Sequence, residues 1–178
     1  YVLGILVQPI KTEFALTDTQ MGLLLGPAFA IFYATMGLPM GWITDRVRRT
    51  WMLGVATTFW SLATGAMGFV TGFGSLFASR MAVGIGEAAL SPGALSMIAD
   101  SFPRRKRGAP IAVYSTALAL GAGLASLLGA SILAYAKQRP DLTFLGIGPL
   151  SPWRFTFLVV SLPGVIIDRY GDFLVLQT

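Results

Sequence analysis

Apolar runs of about twenty residues or more succeed one another along this chain, at 20–43, 51–70, 76–99 and 110–134, with only short polar breaks between them. A helix needs about 20 apolar residues to cross the roughly 30 Å hydrocarbon core of a bilayer. Two shorter apolar stretches, 1–10 and 153–167, bring the expected total to six. Six such helices would take roughly 120 of the 178 positions and leave no room for a soluble domain. The charge content agrees: 12% of residues are charged, about half of the ~25% usual in soluble domains. The expected fold class is an all-α membrane protein, and its first partner is the lipid bilayer.

Several function classes drop out early. The chain has no Cys and no His, so disulfides, thiolate or imidazole metal sites and His- or Cys-dependent catalysis are excluded. No nucleophile–base pair or phosphate loop is visible. GIGEA (84–88) is not a nucleotide fingerprint, because no strand precedes it. The expectation is therefore no enzyme, no cofactor and no metal. The net charge of +5 calls for no nucleic acid either, because the basic residues follow membrane topology.

Seven of the 13 basic residues stand in the loops after the second and fourth spans: Arg46, Arg48, Arg49, Arg104, Arg105, Lys106 and Arg107. The loops after the first and third spans hold one, Lys11, and the loop after the fifth holds Lys137 and Arg139. Lys and Arg are retained on the cytoplasmic side, so the even-numbered loops are expected to be cytoplasmic, in a multi-pass protein of the cell (inner) membrane. Thr17 and Gln20 have the spacing of a capping box and open the second span. Residues 1–10 amount to half a span and read as the end of a truncated first helix. From Phe155 to Ile167 only about 13 apolar residues, some 20 Å of helix, are available to the sixth. The bundle is thus expected over 1–167, and the following DRYGDFLVLQT (168–178) reads as an atypical tail, frameshifted or truncated.

Small residues recur four apart at Gly22 and Gly26, Gly37 and Gly41, Gly68 and Gly72, then Ala117, Gly121, Ala125 and Gly129. Such stripes let helix backbones approach in lipid, either for static packing or as surfaces that slide. Gly84 and Gly86 in the fourth span are further packing candidates. Trp42, Trp51 and Trp153 fall near span ends and read as interfacial anchors.

Two constellations carry chemistry. Glu87 falls at the middle of the fourth span, the costliest depth for a carboxylate. Arg80 lies seven residues earlier, on the same face and about 10 Å away along the axis. Glu87 is read as a group that exchanges protons or, alternatively, as a structural hydrogen bond to a neighbouring helix. Arg80 either holds an anionic group or snorkels outward. The second constellation is GWITDRVRRT (41–50), a basic turn with one acid, Asp45. A carboxylate at a helix end can accept from a facing helix N-terminus or an Arg, a contact able to form in one conformation and break in another.

GWITDRVRRT resembles the signature between the second and third helices of the major facilitator superfamily, through Gly41, Asp45, Arg46 and Arg49. Arg48 stands where the signature has Gly. RMAVGIGEA (80–88), the following SPGA, FPRRKRG, LVQPIK, TDTQMGLL and the Trp153–Arg154 pair are similar to the spinster-like branch and, more loosely, to organic anion–cation symporters. The resemblance implies the amino-terminal six-helix bundle of a twelve-helix carrier, two inverted three-helix repeats around a midplane site, with a carboxy-terminal half as partner. It also implies a gating role for the 41–50 motif. The expected activity is secondary active transport of an organic or amphipathic anion by alternating access, driven by protons at Glu87. The competing expectation is a non-transporting six-span scaffold or inactive transporter fragment. One departure bears on coupling: spinster-like relatives carry an Asp-Arg pair in the first helix, where this chain reads Tyr1-Val2-Leu3.

Overall fold

The computed structural model describes residues 2–139 and 150–175, with side chains through Gly164. The described residues form helices α1 (Val2–Ile5), α2 (Val7–Phe14), α3 (Asp18–Leu25), α4 (Pro27–Thr44) and α5 (Arg49–Ala66), followed by a 3-10 turn at Met67–Phe69. Then come α6 (Phe73–Glu87), α7 (Leu90–Ser101), α8 (Gly108–Lys137) and α9 (Pro152–Val175), with a second 3-10 turn at Arg104–Lys106. Among the described residues, four stretches are long and apolar enough to cross a membrane: Asp18–Thr44, Arg49–Phe69, Phe73–Ser101 and Gly108–Lys137. The Thr17–Gln20 capping box forms as its spacing implies, with Thr17 Oγ1 accepting from the Gln20 amide and Gln20 Oε1 from the Thr17 amide.

Proline decides where these helices are interrupted. A helical Pro cannot donate to the carbonyl four residues back, and its ring crowds that turn. Pro9, Pro27 and Pro92 withhold donors from Ile5, Leu23 and Ala88, and breaks fall at Leu6, at Gly26 and at Ala88–Ala89. Pro39, by contrast, is carried inside an unbroken α4. Freed carbonyls inside a membrane are tolerable only where protein or a hydrated cavity meets them. The three breaks are thus a first pointer to a site.

The buried core gathers at the end of the bundle opposite the basic loops. Leu3, Leu6, Ile10, Met21, Leu24, Met67, Leu76, Trp153 and Phe157 meet there, from α1, α2, α3, the end of α5 and the starts of α6 and α9. Trp153 is 1% exposed, so it is a core residue and not the interfacial anchor its position suggested; Trp42 and Trp51 are exposed at the other end. The reason is Glu13. Its Oε2 accepts from Trp153 Nε1 and from Ser151 Oγ (3.0 Å), and its Oε1 from Arg154 Nη2 (2.9 Å) and Nε (3.2 Å). Arg154 also donates to the Gly68 carbonyl (3.1 Å), and Trp153 packs edge-on against Phe14 and Phe157. This clasp fastens the end of α2 to the start of α9.

Helix packing follows the glycines only in part. A Cβ at Gly84 would lie 2.7 Å from the Phe29 carbonyl oxygen, and one at Gly86 would lie 2.9 Å from Phe59 and 3.0 Å from Trp60, so α6 presses on α4 and α5. Gly129 is buried and faces Ile5 and Val2 at ordinary contact distance. At Gly121 a Cβ would meet no described atom within 4 Å. The helix α8 touches α1 and α9 through its carboxy-terminal turns (Gly129, Leu133, Ala136), while Leu120 and Leu124 in its middle are exposed. The stripe there has no described helix beside it. The α9 backbone is helical through Val175, eight residues beyond Ile167. Residues 140–149 and 176–178 lie outside the described residues, as do side chains from 165 onward, and with them the reading of 168–178 as a tail.

Two outcomes are expected from this packing. Burial pushes the Glu13 carboxyl up, but the hydrogen bonds from Trp153, Arg154 and Ser151 and the Arg154 charge outweigh it and hold the group below its ordinary value. A carboxyl lowered on folding stabilises the fold above its unfolded value and loses that contribution as pH falls through its folded one. Glu13→Gln should therefore lower stability by about 1–2 kcal/mol at neutral pH. The difference in thermal unfolding in detergent should vanish below the ordinary carboxylate range. Gly84→Ala should cost about 1–3 kcal/mol, because the atom it meets is backbone and cannot yield, whereas Gly121→Ala should leave the unfolding temperature unchanged.

Candidate functional site

Arg80 and Glu87 stand two helical turns apart on α6, and both line a cavity of about 510 Å³ with Leu3, Gly4, Leu25, Phe29 and Tyr33. Each break in the helices borders this hollow. Leu3 and Gly4 precede the Leu6 break, Leu25 precedes the Gly26 break, and Glu87 is the last residue before the break at Ala88–Ala89. The proline pattern thus loosens α1–α2, α3–α4 and α6–α7 around one volume.

Within it the two charges stay apart: no ion pair joins Arg80 to Glu87. Arg80 Nε donates to the Leu24 carbonyl (3.4 Å), in the last turn of α3, and its guanidinium lies 5.0 Å from the centroid of the Phe29 ring. No described side chain donates to the Glu87 carboxylate. Its oxygens are not sealed in either, since no buried side-chain polar atom goes without a partner. Chemically this is a half-buried hollow with one fixed cation, one carboxylate, an aromatic wall and a phenol, dimensions that suit a small organic ion.

The 41–50 motif lies at the other end of the bundle. Gly41 accepts from the Asp45 amide (3.3 Å), which closes α4. Arg46 folds back to donate to the Trp42 carbonyl (3.1 Å) and lies 3.7 Å over the Trp42 ring. Arg49 pairs with Asp100 and so ties the start of α5 to the end of α7. Asp45, Arg48, Arg49 and Asp100 share a polar recess of about 450 Å³. No side-chain contact joins the four signature residues: the Asp45 amide bonds Gly41 at the end of α4, Arg46 bonds locally, and Arg49 alone crosses to a second helix, α7.

Sequence reasoning missed Asp100 as the partner of Arg49, because the pairing depends on how two loops 51 residues apart are juxtaposed. It also missed Tyr33, Ser91 and Tyr114, whose hydroxyls meet between α4, α7 and α8. Ser91 stands one turn beyond Glu87, a spacing that marked it for the same face had the helix been unbroken.

Comparison with known proteins follows the same lines. The family model described as Major Facilitator Superfamily matches residues 1–174. An "MFS-type efflux pump" of Mycolicibacterium smegmatis is 33% identical over 92% of this chain and 35% of its own length. A "Probable L-galactonate transporter" of Escherichia coli is 29% identical over 89% of this chain and 31% of its own. A crystal structure of a bacterial homologue of the human lysosomal transporter Spinster, inward-facing and occupied, superposes with a TM-score of 0.85 at 32% identity, covering 97% of this chain and 39% of that one. The chain spans about a third of the length of the relatives it matches.

Proposed function

Because the chain belongs to the major facilitator superfamily, as a spinster-like member, we propose that it forms the amino-terminal six-helix half of a secondary carrier. The carrier moves an organic or amphipathic anion across the cell membrane by alternating access, coupled to proton binding at Glu87. A carboxy-terminal six-helix half closes the path, and the basic loops face the cytoplasm. The observation that carries this reading is the cavity holding Arg80 and Glu87 at the meeting of three helix breaks.

The coupling follows from charge. A guanidinium stays protonated at any physiological pH, so Arg80 supplies a constant positive charge. With Glu87 ionised the cavity is neutral overall and holds an anion weakly. With Glu87 protonated the cavity carries one net positive charge, and an anion settles between Arg80 and the Phe29–Tyr33 wall. Proton and anion then enter together and leave together. The solved relative, inward-facing and occupied, supports alternating access as the transport cycle. The relative described as a probable L-galactonate transporter supports a carboxylate as cargo. The polar recess of Asp45, Arg48, Arg49 and Asp100 is the surface where the gating motif would meet the other half.

The test is uptake in proteoliposomes of the carrier assembled from this chain and its carboxy-terminal half, with labelled galactonate as the probe. Glu87→Gln keeps the cavity in its protonated-like charge state, so uptake should no longer respond to a pH gradient while anion exchange without net proton movement persists. Arg80→Gln should weaken anion binding about tenfold or more, the loss of a charge-assisted bond worth about 1.5–3 kcal/mol. Wild-type response of Glu87→Gln to the gradient would contradict the coupling.

A further inference from the structure

The Arg80–Glu87 cavity is one of two hollows joined by a row of hydroxyls. Tyr33 lines the cavity, and Tyr114 lines a groove of about 850 Å³ beside the basic loop, together with Phe102, Arg105, Lys106 and Pro110. Between them stands Ser91. Its Oγ lies 3.2 Å from Tyr33 Oη and accepts from Tyr114 Oη at 3.4 Å. Three helices each give one hydroxyl, and the row begins in one hollow and ends in the other.

Packing alone does not call for such a row. Thr35, Thr57, Thr64 and Ser126, on the same kinds of helix, satisfy their hydroxyls by donating to the carbonyl four residues back. Ser91 instead meets two phenols from other helices, beyond the break that follows Glu87. Apolar side chains of similar size would fill the same space without any polar group to satisfy.

We infer that Tyr33, Ser91 and Tyr114 form a hydroxyl relay that passes protons between the groove on the basic-loop side and Glu87. The inference rests on the reading of Glu87 as the proton-binding group. Each hydroxyl both donates and accepts, and the direction found suits inward delivery. Tyr114 donates to Ser91, Ser91 is free to donate to Tyr33, and the Tyr33 proton is left available to the cavity. A hydronium in the groove gives its proton to Tyr114 Oη. At each hydroxyl one O–H bond forms and one breaks, and the Glu87 carboxylate ends as the acid, directly or through a cavity water. Rotation of the three hydroxyls reverses the row for release. Among the described residues, the charged and titratable groups facing the route are Arg80 from α6 and Tyr33 from α4 at the cavity end, with Arg105 and Lys106 at the groove. Leu3 and Gly4 are what α1 contributes to the cavity wall.

The experiment needs no transport substrate. The assembled carrier is reconstituted with known sidedness, a caged proton is photolysed on one side, and the carboxylic C=O stretch is followed by time-resolved infrared. Glu87→Gln identifies the band. Tyr114→Phe and Ser91→Ala, each of which removes only a hydroxyl, should slow protonation from the basic-loop side about tenfold or more and leave protonation from the opposite side unchanged; Ser91→Thr should restore the rate. Unaltered rates in both variants, or equal slowing from both sides, would overturn the relay while leaving Glu87 as the proton site. Absence of any band removed by Glu87→Gln would overturn the reading beneath it and the relay together.

Discussion

A carboxylate halfway through a membrane-spanning helix, with a guanidinium two turns nearer its start, must be paired, hydrated or driven to the surface, and the whole arrangement answers to that constraint. Neither charge here is paired with the other. Both open onto one hollow. The Leu24 carbonyl and the Phe29 ring beside Arg80 offset part of the cost of holding a charge there. Everything else about the bundle can be understood as making or protecting that space.

The space is made by proline. Pro9, Pro27 and Pro92 lie in three different stretches of sequence, and the break each causes falls beside the same cavity. An interrupted helix exposes carbonyls that a ligand, a cation or water can use, which is why broken helices and binding sites coincide in membrane carriers. Arg80 illustrates it by reaching the Leu24 carbonyl at the end of α3. The cavity is held in place by packing concentrated on one side of it. The Trp153–Phe157–Leu6 core and the Glu13 clasp bind the end opposite the basic loops. At the other end a recess and a groove reach into the bundle, and large apolar side chains such as Leu38 and Val113 are left exposed.

Much of this was legible in the sequence because it depends on local chemistry or on depth. Apolar run length located the long helices, the Thr17–Gln20 spacing gave a cap, and rotation per residue put Arg80 and Glu87 on one face. Kinship through the 41–50 and 80–88 motifs supplied the family. What escaped depends on juxtaposition. The exposed Gly121 has the same spacing as the buried Gly129, and only the tilt of α8 away from the bundle tells them apart. Trp153 looked like an anchor because its depth was known and its neighbour Glu13 was not. Arg49 finds Asp100, and Tyr33 finds Ser91 and Tyr114, across separations no local pattern encodes. The prolines were visible, but that their breaks converge on one volume was not.

The central claim is that Glu87 faces water inside the membrane, and it can be tested at that one position. The chain has no cysteine, so Glu87→Cys introduces its single thiol. In the carrier assembled in liposomes, a small membrane-impermeant maleimide added on one face of the membrane should label this thiol. Prior addition of a transported anion should protect it. Labelling only by a membrane-permeant reagent, with no protection by any anion, would mean that position 87 faces lipid or a sealed interface, and the account would be wrong.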